Sequence, residues 1–305
     1  MKLLPAKPDA KPRVADLVVI LCLAFFPGSA PLQAQAVKPD GGANIQAADA
    51  ALRRGEPAEA IRIATQLLAS NPKDPRVLFL RAKGYELARD YPKALADYTA
   101  GLQLDPKVAF GYVNRGAVYF RLGRFAESVA DFDKGIELLP DERPKLWQRG
   151  ISLYYAGRYE DGRKQFEVHQ TYNPHDVENA AWHFLCVARA SGIDKARASL
   201  IPIEGDARVP MMQVHALFAG RAKPEDVLAA ARAGQPAPAE LDGRLFYAHL
   251  YLGLYFEALR DTKAAREHIY KAAEFKADHY MGDVARVHAQ VLRRENAEGA
   301  KPKSN

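Results

Sequence analysis

His183 and Cys186 stand three positions apart in the run Trp182-His183-Phe184-Leu185-Cys186-Val187. On a helix that spacing places an imidazole and a thiol on one face, a pair that could begin a metal site. Trp182, Phe184, Leu185 and Val187 surround the pair with apolar groups. The competing reading therefore makes Cys186 a small core residue and His183 a satisfied or exposed histidine. His249, His268, His279 and His288 in the last helical segments read as structural. The sequence contains no Gly-x-Ser-x-Gly elbow, no His-Glu-x-x-His and no glycine-rich phosphate loop. No nucleophile, base and orienting group can be picked out together, so neither catalysis nor a cofactor is expected. An accessory metal-binding or enzymatic protein built on His183 and Cys186 stays open as the alternative.

The elements that would position any such residues announce themselves by interval. Pro72, Pro106, Pro140 and Pro174 recur every 34 residues, and so do Gly55, Arg89, Gly123 and Gly157. Ala60, Ala94, Ser128 and Gly162 follow the same interval, as small residues do where helices cross closely. Pro57, Tyr91, Phe125 and Tyr159, with Ala64, Tyr98, Phe132 and Phe166, supply mostly aromatic fillers between packed helices. Tyr85, Tyr119 and Leu153, with the pairs Arg81-Ala82, Arg115-Gly116 and Arg149-Gly150, complete the pattern. It resembles the tetratricopeptide repeat (TPR) consensus, a helix-turn-helix unit of 34 residues. An ordinary bundle has no reason to repeat its punctuation at constant spacing. The expected fold is all-α: a TPR solenoid of helix-turn-helix repeats with a degenerate middle, a late repeat and a C-terminal capping helix.

Residues 1–36 read differently. Lys2, Lys7, Lys11 and Arg13 precede an apolar run from Leu17 to Phe26, and Ala34-Gln35-Ala36 offers a small-x-small cleavage site. This is the pattern of a secretory signal peptide cut after Ala36. The run is about half the roughly 20 residues that a membrane-spanning helix needs, which leaves a retained anchor as the lesser reading. Cys22 lies inside the apolar run and follows Ile20-Leu21, so no lipid anchor is expected. Cleavage would leave Cys186 as the one cysteine and exclude an intramolecular disulfide. It would also leave 39 Lys/Arg against 35 Asp/Glu, a net +4 too mild to argue for nucleic acid. The expected location is the periplasm or the exterior.

Along the chain, 37–44 reads as a flexible lead-in and 45–174 as four repeats. A degenerate helical region occupies 175–245, with a late repeat and capping helix over 246–295 and a disordered tail over 296–305. First helices are expected over segments such as Arg76 to Arg89 and Phe110 to Leu122, and second helices over Pro92 to Leu104 and Ala126 to Leu139. Each second helix ends before an X-Pro pair, because the residue before proline is pushed out of helical geometry. The order of regular repeats, short irregular helices, one late repeat and a cap resembles the NlpI-like bacterial envelope TPR family. The resemblance rests on Arg149-Gly150-Ile151-Ser152-Leu153-Tyr154-Tyr155-Ala156-Gly157-Arg158, the Asn173-Pro174-His175-Asp176 turn, and Phe246-Tyr247 through Leu252-Gly253. It implies a periplasmic adaptor that holds a protease and a peptidoglycan-trimming enzyme together, often as a homodimer. The absent lipidation cysteine departs from that family.

The TPR resemblance also assigns places on the first helices that face a concave groove for a peptide or protein partner. Here they hold Phe79 and Lys83, then Val113, Asn114, Ala117 and Arg121, then Trp147, Ile151 and Tyr154. Aromatic residues and arginine are the types that anchor interfaces. Trp147 and Tyr154 serve equally well as inter-helix core, and Lys83 and Arg121 as solvated surface charges. Chaperone-tail receptors of this family clamp a terminal carboxylate with lysines and asparagines. Asn114 occupies one of those places, but Phe79 and Lys83 stand where the clamp needs lysine and asparagine, so the clamp does not carry over. The reading is a non-enzymatic scaffold presenting this groove, with a purely structural assembly subunit as a further alternative.

Overall fold

The computed structural model describes residues 44–299, with side chains to 297. The leader, its cleavage site at Ala36, the lead-in before Asn44 and residues 300–305 lie outside the described residues. Helices α1 (Ile45–Arg53) and α2 (Pro57–Ser70), α3 (Pro75–Leu87) and α4 (Tyr91–Leu104), and α5 (Ala109–Arg121) and α6 (Phe125–Leu138) form three successive hairpins. A fourth follows from α7 (Trp147–Tyr155) and α8 (Tyr159–Gln170). Side-chain oxygens of Asn44, Asp74 and Asp90 accept from backbone N–H groups of the first turns of α1, α3 and α4. That satisfies donors a helix start otherwise leaves unpaired.

Each first helix stops at the 34-residue glycine register. Gly55, Gly123 and Gly157 take a left-handed conformation with φ of 72–73°, and Arg89 does so at 61° without being glycine. For an ordinary residue that conformation costs about 1–2 kcal/mol. Pro140 does not lead straight into the next helix. It opens a short 3-10 segment, Pro140–Lys145, that contains Pro144, and α7 is delayed to Trp147. Proline cannot donate a backbone hydrogen bond, so the fourth repeat's first helix is cut short.

Two features set the spacing within the second, third and fourth hairpins. The first is an arginine on the first helix that forks onto an aspartate 16 residues later: Arg81 onto Asp97 at 2.7 and 2.9 Å, and Arg115 onto Asp131 at 2.7 and 2.8 Å. In the fourth repeat Gln165 replaces the aspartate, and Arg149 turns instead to Asp133 of the preceding repeat while keeping Gln165 at 3.1 Å. The second is close approach at the small residue next to that arginine. A methyl at Gly150 would lie 2.6 Å from the Phe166 ring.

Beyond Pro174 the helices shorten: α9 (Val177–Ser191), α10 (Ile193–Ala198), α11 (Met211–Phe218) and α12 (Pro224–Arg232). The stretch between α10 and α11 is tied down by Arg208, which pairs with Asp206 and Asp176 at 2.6 and 2.5 Å and with Glu178. Helices α13 (Pro238–Ala258) and α14 (Thr262–Glu274) pack together as a hairpin, with Gly253 against Ile269 as Gly150 is against Phe166. The last helix, α15, runs Tyr280–Gly299. So α13 begins earlier than Phe246, and α15 continues past Arg294 into the stretch expected as a tail. Among the described residues every regular element is helical, and none is long and apolar enough to cross a membrane.

The first three hairpins carry small local cores, such as the one joining Phe79, Ala82, Tyr98 and Val118. This is the one-dimensional economy of a repeat array. From Phe120 onward a single core runs through Ile151, Trp182, Phe218 and Tyr251 to Leu292. The two glycines of Gly150 and Gly243 then separate packing from propensity. Gly150→Ala drives its methyl into Phe166 and should lose about 1–3 kcal/mol of stability. Gly243→Ala in α13 meets nothing within 4 Å and should gain about 0.5–1 kcal/mol from helix propensity. Urea denaturation of both variants checks the pair; a gain at both positions would contradict the close crossing.

Candidate functional site

The inward face of the solenoid is made by α3, α5 and α7, and the nine groove positions read from the sequence separate there into three groups. Phe79, Ile151 and Tyr154 are spent on packing, and Val113 is partly so. Phe79 is 6% exposed and its ring packs against Tyr98 and Phe110, 6.3 and 5.3 Å away. Gly101 and Gly111 leave the room it fills, since a methyl at either would strike that ring. Val113 reaches across to α6, where a methyl at Gly135 would lie 2.7 Å from it. Ile151 is wholly buried, and Tyr154 is buried against Trp182 with its hydroxyl donating to Glu257 at 3.3 Å. Phe79, Ile151 and Tyr154 are corrected from groove to interior, while Val113 is only partly buried.

Arg121 and Trp147 do face inward, but a segment of the same chain covers them. The first turn of α15 lies against α5, and residues 162 and 194 positions apart in sequence meet there. Arg121 Nε donates to Asp283 at 2.6 Å and its Nη1 to Glu86 at 3.1 Å. Arg89 reaches the same Asp283 at 2.9 Å and Asp278 at 3.1 Å. Tyr280 stacks on Phe120 with centroids 5.4 Å apart, meets Trp147 edge-on at 5.1 Å, and lies 5.3 Å beneath the Arg121 guanidinium. Lys83, Asn114 and Ala117 keep intermediate exposure on the same face, with Lys83 donating to Glu86 at 2.9 Å.

The electrostatics close around Arg121. Burial opposes the charge on Asp283, but the guanidinium of Arg121, with that of Arg286, outweighs it and holds the carboxyl below the usual range. Burial also opposes the charge on Glu86, yet Lys83 and Arg121 hold it low. Opposite charges a hydrogen bond away favour the ionised form more than desolvation disfavours it here. Further along α15, the Tyr155 hydroxyl and His288 Nδ1 share a hydrogen bond of 2.7 Å, and Glu257 stands 2.7 Å from His288 Nε2. His288 is thus buried inside the closure.

Sequence reasoning missed Arg89, Glu86, Phe120, Tyr280 and Asp283. One signal was present: Arg89 breaks the glycine register, and its strained backbone aims a guanidinium at α15. The other histidines serve packing, with His249 Nδ1 2.9 Å from His268 Nδ1 and His279 stacked on Tyr247. His183 and Cys186 do share a face toward α8, but Cys186 is fully buried against Gly162, and burial pushes its thiol well up. His183 lies 3.5 Å from Glu167. Among the described residues no group of three or more His, Cys, Asp or Glu is placed to hold a metal ion. The metal alternative has no ligand set there.

This architecture defines an all-helical TPR solenoid. Tetratricopeptide repeat models match residues 45–109 and 109–142, and the chain contains TPR repeats. It is 31% identical over 100 residues to an Hsp70-Hsp90 organizing protein of Triticum aestivum, covering 32% of this chain and 17% of that protein. It is 30% identical over 135 residues to the heat-shock protein cognate co-chaperone sgt12 of Aspergillus fumigatus, covering 41% of this chain and 40% of that one. The matched segments therefore span less than half of either relative. A tetratricopeptide repeat protein from Parabacteroides merdae shares the fold, with a TM-score of 0.54 at 15% identity over 82% of this chain and 97% of that one.

Two carboxylates at this face test the closure. Asp283→Ala leaves Arg121 buried with one partner fewer and should cost about 2–4 kcal/mol in urea denaturation. Asp278→Ala removes a carboxylate that is 86% exposed and should change stability by less than about 0.5 kcal/mol. Equal losses would contradict the burial of the Arg121 pair. Because Asp283 and Glu86 titrate below their unfolded values, their contribution is complete above about pH 5.5 and is lost as pH falls through the folded values. The acid limb of the stability curve should flatten in Asp283→Asn.

Proposed function

We propose that this protein is a non-enzymatic protein-binding scaffold of the bacterial cell envelope, exported by a leader cut after Ala36 and related to the NlpI-like envelope adaptors. The observation that carries the binding reading is the partly buried stretch of first-helix face bearing Lys83, Asn114 and Ala117. It lies beside the cationic and aromatic cluster of Arg121 and Trp147. Solenoids of this type receive an extended peptide or a partner helix on that face. The relatives named as organizing protein and co-chaperone support a partner-binding role for the repeat segment they share with this chain. The terminal-carboxylate clamp of chaperone-tail receptors is not proposed for this chain, since Phe79 is interior. The envelope setting rests on the presequence pattern and the order of repeats. A homodimer is part of the same family reading.

Export is checked by the intact mass of protein recovered from the periplasmic fraction of a bacterial host, which should begin at Val37. Protein retained in the cytosol with its leader intact would overturn the envelope assignment. Binding is checked by placing a photo-crosslinking amino acid at Ala117 and, separately, at the outward-facing Lys134 of α6. A discrete protein adduct should form from position 117 and not from 134. Adducts from 134 alone would remove the concave face from the account.

A further inference from the structure

Helix α9 packs against both α8 and α10, and a cavity of about 530 Å³ is lined by residues of all three. None of these helices carries Lys83, Asn114 or Ala117, so this site is separate from the inward face. Its volume falls within the roughly 300–1,000 Å³ of small-ligand sites. That is room for a side chain together with the backbone that bears it. His183 and Val187, about one turn apart on α9, line it together. Glu160, Arg163 and Glu167 come to it from α8, and Lys195, Leu200 and Ile201 from α10 and the stretch that follows.

The α8 wall carries an excess of negative charge. Arg163 serves both glutamates, donating to Glu160 at 2.9 Å and also to Glu167. One guanidinium between two carboxylates leaves one negative charge unmet. His183 does not meet it, because burial outweighs the nearby Glu167 carboxylate and holds the imidazole below its ordinary pKa, hence neutral. Among the described residues Lys195 forms no ion pair with either glutamate, and it is exposed. His183 also carries an unmet atom. Its Nε2 lies 3.5 Å from Glu167. A carboxylate only accepts, which assigns the ring proton to Nε2 and leaves Nδ1 as an acceptor. Nδ1 is buried and has no hydrogen-bond partner, where a buried polar atom is expected to have one.

We infer that this cavity receives a lysine or arginine side chain of a partner protein. The charged head sits at the Glu160 and Glu167 carboxylates, beside the His183 ring, and the methylene stem lies along Val187, Leu200 and Ile201. Long basic side chains divide in this way between an apolar wall and a polar rim. An acidic side chain would meet the surplus carboxylate instead. The Lys195 ammonium stands in solvent, where its repulsion of an incoming cation is screened. The site goes beyond the scaffold reading and does not depend on the inward face.

The test titrates the full-length protein, carrying isotope-labelled histidine, with the blocked tripeptide Ala-Lys-Ala and follows the imidazole signals by NMR at neutral pH and low salt. The His183 signal is identified by its loss in His183→Gln. It should shift saturably with the lysine peptide, and Glu167→Gln should weaken that binding at least about fivefold. The same tripeptide with norleucine or glutamate at its centre should leave the signal unmoved. A saturable shift with the glutamate peptide would make this an anion site at Lys195 and Arg163 and overturn the inference. So would an equal response to norleucine, no shift with the lysine peptide, or unchanged affinity in a Glu167→Gln protein that melts as the parent does. A failed titration alongside a protein adduct from position 117 would reject this site and leave the scaffold reading standing.

Discussion

One guanidinium, that of Arg121, ties the last helix to the second and third repeats. It hydrogen-bonds Asp283 from the last helix and Glu86 from the second repeat, and it lies over the rings of Tyr91 and Tyr280. A buried arginine is costly unless its charge is met on several sides. Meeting it here requires that α15 arrive next to α5, which in turn requires the irregular middle of the chain to bring the late hairpin round. The short helices α10 to α12 are in this sense a spacer of fixed geometry. Arg208 and its three carboxylates keep the loop within that spacer from drifting.

The regular half and the closing half are stabilised in different ways. In the repeats the Arg81–Asp97 and Arg115–Asp131 forks, the small crossing residues and local aromatic clusters are repeated per unit, so each hairpin depends mainly on its neighbours. In the closing half one continuous core runs from Phe120 to Leu292 and includes α15. Loss of a contact in a repeat is a local event. The Arg121–Asp283 pair by contrast joins the third repeat to α15, whose Tyr280 lies against Phe120 and Trp147.

The fold was largely legible in the sequence because its cause is local. The proline and glycine registers mark turns by restricting backbone angles, and the arginine-glycine pairs mark each crossing. The inward face was legible in position but not in availability. Phe79 occupies a groove place in the repeat, yet Gly101 and Gly111, on neighbouring helices, open the hole that takes its ring. Val113 leans partly toward Gly135 and stays partly exposed. Arg121 and Trp147 are covered by residues about 130 to 160 positions downstream, and no local pattern encodes that meeting. The nearest clue was Arg89 in a glycine register, whose left-handed backbone is tolerated beside its two aspartate partners. His183 and Cys186 show the converse: helical spacing placed them on one face, but the apolar residues around them sealed Cys186 into the core.

The account depends most on the Arg121–Asp283 contact being formed in the folded protein. A double-mutant cycle of Arg121→Met, Asp283→Asn and the pair, followed by urea denaturation, measures that contact directly. A coupling free energy of about 1.5 kcal/mol or more is expected for a hydrogen-bonded charge pair that is largely buried. Additivity within about 0.3–0.5 kcal/mol, the behaviour of residues that share no contact, would contradict the closure of the solenoid by its own C-terminal helix.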